Sequence, residues 1–191
     1  MESKQLCFLC FEALENKVTN KNNNKVANAV IDPNNKDEYP LFVTWKIDGD
    51  QLRGCIGNFG KLPLYQGLME YAVIAGTRDH RFEPITPEEL PRLKCGVSLL
   101  YQFEKAENAL DWEIGKHGIR LSIDGCNSTY LPEVAPEFGW TKEETLAHLA
   151  RKGGFYKKYD KSALERSKVE RYQSAKSTAT WAEYQEWLQT H

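Results

Sequence analysis

The pattern of apolar and polar positions opens on a helix. Leu6, Cys7, Phe8, Leu9, Cys10 and Phe11 are followed by Leu14 and Val18, an apolar stripe at helical spacing. A polar loop over residues 20–24 separates it from a short helix or turn at Val26-Ala27-Asn28-Ala29-Val30, and Asp32-Pro33-Asn34-Asn35 reads as a turn. The period then changes to that of strands. Leu41-Phe42-Val43-Thr44-Trp45-Lys46-Ile47 is an apolar, β-branched run, Asp48-Gly49-Asp50-Gln51 is a tight turn, and Leu52-Arg53-Gly54-Cys55-Ile56-Gly57 returns, which makes a hairpin. Helical spacing resumes from Tyr65 to Thr77, with Leu64, Leu68, Tyr71, Ala72 and Ala75 on one face and Gly76 as a stop signal. Thr86-Pro87-Glu88-Glu89 is a capping box with proline at the first helical position. Residues 95–101 form a third strand, expected to pair with residues 52–59 in a mostly antiparallel sheet.

The middle of the chain has its own pattern. Strands are predicted at Ile119-Arg120-Leu121-Ser122-Ile123 and Ser128-Thr129-Tyr130-Leu131, joined by an Asp124-Gly125-Cys126-Asn127 turn. A short helix begins at Pro132-Glu133-Val134-Ala135. A second is capped by Thr141 with Glu144 three residues on, and Gly153-Gly154 stops it. Leu146, Leu149 and Ala150 give this segment enough apolar surface for a small core of its own. A returning strand at residues 169–174 and a terminal helix capped by Thr180 and Glu183 complete the chain. Trp181, Tyr184, Trp187 and Leu188 share one face of that helix and read as core packing.

Composition narrows the class. The chain has 191 residues, 41% hydrophobic and 27% charged, enough for a sizeable core in one domain. The net charge of −2 implies no global attraction to nucleic acid or membranes. No apolar run approaches the ~20 residues of a membrane span. The first residues lack the apolar core of a secretory signal. Five cysteines, an odd number, read as free thiols in a reducing compartment, so an intracellular protein is expected, cytoplasmic or nuclear. Cys7 and Cys10 form a C-x-x-C pair without a second pair of ligands, so burial is favoured over metal binding, and neither metal nor cofactor is expected.

The hairpin's second strand carries the candidate chemistry. Glycine weakens a strand interior, and two of them flanking Cys55 imply that something approaches this backbone closely. Leu52-Arg53-Gly54-Cys55-Ile56-Gly57 resembles the signature hexapeptide of the AMMECR1 domain family. Pro40-Leu41-Phe42-Val43-Thr44-Trp45-Lys46, Asp79-His80-Arg81-Phe82, Val97-Ser98-Leu99-Leu100, Leu110-Asp111-Trp112-Glu113, His117-Gly118-Ile119-Arg120, Tyr130-Leu131-Pro132-Glu133-Val134-Ala135 and Arg151-Lys152-Gly153-Gly154-Phe155 agree in order and spacing. The resemblance covers nearly the whole chain. It implies an α+β fold with antiparallel sheets flanked by helices, in two lobes with a cleft between them. The larger lobe would span residues 1–105 and 166–191, and the smaller 106–165. It also suggests association with MEMO-type or radical-SAM proteins.

Cys55 is the candidate nucleophile, with Arg53 two residues away on the same strand face and the amides near Gly54 and Gly57 as an oxyanion site. Such a thiol needs a base, and His80 and His117 are the available ones. The competing reading is a small residue that lets the lobes approach. Arg53 and Arg81 are candidate anion ligands, or else ion-pair partners of Asp79, Asp111 or Glu133. Glu133 is a further binding candidate, although at a helix start the helix dipole explains a carboxylate without any function. His117 joins the binding candidates, as do Gly54 and Gly57. Residues 151–171 hold eight basic and three acidic side chains, with Tyr156 and Tyr159 interleaved. That segment would suit an acidic protein or RNA, or simply be a solvated surface. The favoured reading is a recognition module holding a sizeable partner in the cleft. The alternative is an enzyme using Cys55 as a nucleophile or redox-active thiol with Arg53 and a histidine.

Overall fold

The computed structural model describes residues 3–32 and 34–191. Helix α1 (Lys4–Thr19) starts where Ser3 accepts a hydrogen bond from the Gln5 amide and ends at Asn20, which takes the left-handed conformation. Helix α2 (Lys25–Val30) is held differently from a usual cap. The buried Glu12 carboxylate, on α1, accepts from the amides of Val26 and Ala27, both at 2.8 Å. The expected turn at residues 32–35 is described except at Pro33, which lies outside the described residues. Around it Asn34 and Asn35 donate to Asp32.

Strands β1 (Glu38–Ile47) and β2 (Gln51–Pro63) form the hairpin, with Asp48 and Gly49 at positive φ in its turn. Helix α3 (Leu64–Thr77) follows directly. A 3₁₀ turn (Pro87–Arg92) carries the capping box of Thr86 and Glu89 and leads into β3 (Leu93–Lys105). Strands β4 (Gly118–Ile123) and β5 (Cys126–Tyr130) make a second hairpin. Helices α4 (Val134–Phe138), α5 (Lys142–Lys152) and α6 (Lys161–Arg166), strand β6 (Lys168–Thr180) and helix α7 (Trp181–Thr190) complete the order. The strands lie in the order β2-β1-β3-β6-β4-β5, and the β1–β2, β1–β3, β4–β5 and β4–β6 pairs are antiparallel. The architecture is therefore α+β.

One expectation is corrected by the sheet order. Strand β3 pairs with β1 rather than with β2, so the Cys55 strand is a sheet edge and β1 has the inner place. The burial patterns give the reason: β1 alternates in its burial and is well covered, whereas β2 carries exposed Gln51, Leu52, Asn58 and Gly60. The stretch after Gly154 also contains a helix, α6, capped by Asp160 through the Ala163 amide, where no apolar periodicity had announced one.

The chain divides into two compact units, residues 1–99 with 175–191, and residues 100–174. Both divisions fall within long strands, β3 and β6, and not in loops. The first unit's core packs α1, α3 and α7 over β1 and β3, with Phe11 stacked on Tyr184 at 5.5 Å and Trp45 donating to the Ala72 carbonyl at 2.9 Å. The second unit's core gathers Trp112, Ile119, Leu121, Ile123, Leu146, Leu149 and Phe155. Among the described residues, no helix is long and apolar enough to cross a membrane.

A candidate site at the edge strand

The site begins with Gly54. A Cβ built there would lie 2.1 Å from the carbonyl oxygen of Ala75, so the last turn of α3 rests directly on the β2 backbone. Only glycine allows that approach. Helix α3 ends at Thr77 and the chain turns at once, so Asp79 arrives beside Cys55. Asp79 is nearly fully buried and accepts four N–H donors. Its Oδ2 takes the Cys55 amide at 2.9 Å and Arg81 Nη2 at 2.7 Å. Its Oδ1 takes Arg81 Nε at 2.9 Å and the Arg81 amide at 3.2 Å. The Arg81 guanidinium, opposed only in part by burial, holds the Asp79 carboxyl far below the usual carboxylate range.

Arg81 Nη2 also reaches the Cys55 carbonyl at 3.3 Å. The Asp79–Arg81 pair thus takes both the N–H and the C=O of one edge residue, where a further strand would otherwise bond. The Cys55 side chain is half-buried, with its sulfur 3.1 Å from Thr44 Oγ1 across the hairpin, where Thr44 and Cys55 are register partners.

Arg53 is committed elsewhere. Its Nε and Nη2 make a fork onto Glu89 at 2.8 and 3.0 Å, and Nη1 donates to the Glu83 carbonyl at 2.8 Å. Both side chains are largely buried, and the Arg53 pairing lowers the Glu89 carboxyl pKa. Glu89 also accepts from the Thr86 amide, so one carboxylate caps the 3₁₀ turn and pins the strand. Gly57 is filled by its own chain, because a Cβ there would lie 2.2 Å from the Phe42 ring and 2.3 Å from the Leu41 carbonyl oxygen.

The structure therefore brings Arg53, Gly54, Cys55, Gly57 and Arg81 together in the first unit. His117 and Glu133 belong to the second. His117 is buried in the loop before β4, where Nδ1 accepts the Glu113 amide at 2.9 Å, and burial lowers its pKa. Glu133 is the residue before α4 and makes no side-chain cap bond there. His80, next to Asp79, is exposed. Among the described residues, no group of three or more His, Cys, Asp or Glu is placed to hold a metal ion.

Three participants escaped the sequence reading as site residues: Asp79, Thr44 and Glu89. Asp79 had a local signal. An Asp just past a helix stop, with an N–H two residues on, is an Asx turn, and Arg81 closes it. Thr44 and Glu89 had none, because strand register and an approach from 36 residues away place them.

A six-stranded α+β chain whose Leu-Arg-Gly-Cys-Ile-Gly edge strand is closed by an Asp-His-Arg loop defines the class. The AMMECR1 family model matches residues 7–177, and the chain belongs to the AMMECR1 family. It is 38% identical over 192 residues to the uncharacterised protein At2g38710 of Arabidopsis thaliana, covering 95% of this chain and 87% of that one. It is 38% identical over 196 residues to the uncharacterised protein C688.03c of Schizosaccharomyces pombe, covering 96% of each. Among solved structures, the uncharacterised protein PH0010 of Pyrococcus horikoshii matches with a TM-score of 0.76 at 26% identity, over 90% of this chain and 88% of that one.

Proposed function

We propose that this AMMECR1-family chain is a binding module that engages a protein partner on the face around Cys55 and Arg81. Cys55 acts there as a small hydrogen-bonding side chain and not as a nucleophile. One observation carries the reading: the groups a thiol catalyst would draw on are already engaged. A cysteine nucleophile needs a base or a neighbouring cation to hold its thiolate. Here Asp79 is saturated by four N–H donors and Arg53 is clamped by Glu89. Arg81 is held by a two-point fork on Asp79 and by the Cys55 carbonyl. What the loop presents instead is an oriented guanidinium, 56% exposed and fixed from behind. A planar donor held in place loses little freedom when a carboxylate or carbonyl docks on it, which is how arginines serve interfaces. Leu52, on the same strand, adds an exposed apolar side chain at 41%.

Two measurements test this. Iodoacetamide should modify Cys55 slowly, with no inflection below pH about 8, in wild type and Arg81→Gln alike. A photoreactive benzoylphenylalanine at position 52 should give a discrete protein adduct in cells, and Arg81→Gln should remove it. Rapid alkylation with an acidic inflection that moves upward in Arg81→Gln would make Cys55 a nucleophile. An adduct indifferent to Arg81→Gln would remove the binding face.

A further inference from the structure

The second unit carries a feature that the edge-strand site does not use. After α5 the chain runs through Gly153 and Gly154 into Phe155, Tyr156, Lys157, Lys158 and Tyr159 before α6. Both ends of this loop are pinned. Gly153 packs against the start of β5, where an added Cβ would lie 3.0 Å from Ser128 Oγ and 3.1 Å from the Asn127 carbonyl oxygen. Gly154 takes a φ of +97°, and the Phe155 amide bonds back to the Ala150 carbonyl at 3.0 Å. The Phe155 ring is buried in the second core and meets Tyr159 edge-on, and Tyr159 hydroxyl bonds Ser167 Oγ at 2.7 Å. Asp160 then caps α6.

Between two anchored aromatics, residues 156–158 have nowhere to turn but outward. Tyr156 is 82% exposed, more than any other large hydrophobic side chain described. Its exposure is imposed by the anchors on either side of it, at a cost in unburied ring area. The charge around it is equally unbalanced. Arg151, Lys157, Lys158 and Lys161 are all exposed. None of them forms an ion pair among the described residues, whereas Arg166 and Arg171 of the same segment are paired with Asp124, Glu104 and Asp111.

We propose that the loop at residues 151–161 binds single-stranded nucleic acid, with Tyr156 as the stacking ring and Arg151, Lys157, Lys158 and Lys161 as phosphate contacts. An acidic protein would need the cations alone. An exposed ring in a loop that also carries four exposed cations outside any ion pair suits a ligand that alternates flat apolar faces with negative charge, and single-stranded nucleic acid is that ligand. The loop supplies no fixed donors that would read base edges, so little sequence preference is expected.

The test uses the full chain and a fluorescein-labelled single-stranded RNA of about twelve nucleotides, followed by anisotropy across a salt series. A second oligomer of the same length and charge carries abasic sites. Wild type should prefer the intact RNA roughly tenfold. Tyr156→Ala should abolish that preference while leaving the salt slope unchanged, and Tyr156→Phe should retain it. Lys157→Gln with Lys158→Gln should weaken both oligomers and reduce the log–log salt slope by about 1.4, at ~0.7 per phosphate contact. Circular dichroism confirms that these surface variants fold. Absence of binding to either oligomer at low salt overturns the proposal. Equal binding of both, with competition by poly-glutamate and no effect of Tyr156→Ala, would reassign the loop to an acidic protein partner and overturn it as well.

Discussion

Asp79 Oδ2 accepts the backbone N–H of Cys55 at 2.9 Å, across 24 positions of sequence. The bond ties the loop after α3 to the middle of an edge strand, and the same carboxylate orients Arg81 onto the Cys55 carbonyl. Because Asp79 is buried and charged, its pairing is sensitive to acid. Its folded pKa is depressed, so it stabilises the fold fully above its ordinary value of 3.8, and that stabilisation is lost as the pH falls below it. Asp79→Asn should lower stability at neutral pH by about 2–3 kcal/mol, since it leaves a charged donor without its acceptor. Urea unfolding of both proteins at pH 7 and pH 3 checks this. The gap should narrow at pH 3, and a gap independent of pH would show that the charge is not what matters.

The glycines of the edge strand should rank by what lies over them. Gly54→Ala and Gly57→Ala each drive a Cβ into backbone or ring, so each should cost about 3 kcal/mol. Gly96, on β3, which pairs with β1, has its nearest neighbour at 3.7 Å, an ordinary contact, and Gly96→Ala should change stability by less than about 1 kcal/mol. Thermal melts of the three variants decide this. Tolerance of alanine at position 54 would contradict the close seating of α3.

Glu12 does the work of a cap from outside the helix it serves. Glu12→Gln places an amide NH₂ against one of two N–H donors in a buried position, so it should destabilise by about 2 kcal/mol, measured as a shift in urea midpoint without a change in slope. Lys25→Gln, exposed on the same helix, is the neutral comparison.

The thiols should fall into two classes. Cys7, Cys10 and Cys95 are fully buried in the first core, and burial pushes the Cys95 thiol well up, whereas Cys55 and Cys126 are partly exposed. Titration with a disulfide-forming dye should find no more than two thiols open to it in the native protein, with Cys55 the slower of the two, and all five in denaturant. Fewer than five in denaturant would reveal a disulfide.

The sequence by itself determined the elements and their caps. Thr86 with Glu89, Thr141 with Glu144, and Thr180 with Glu183 are local relationships three residues apart, and each closes as its spacing implies. The hairpin around Asp48 and Gly49, the apolar face of α7 and the family membership were legible for the same reason: their information is local or carried by ordered motifs. The tertiary structure decided everything that depends on long-range placement. A strand's alternation says which face is buried but not which neighbour it pairs with, so the inner place of β1 and the edge position of Cys55 could not be read. Gly54 and Gly57 announced a close approach, but Ala75 and Phe42 as the approaching groups come from packing. Arg53 carried the same fork whether it served a ligand or Glu89, since charge and shape fix what an arginine can bind, and the fold alone fixes what it meets.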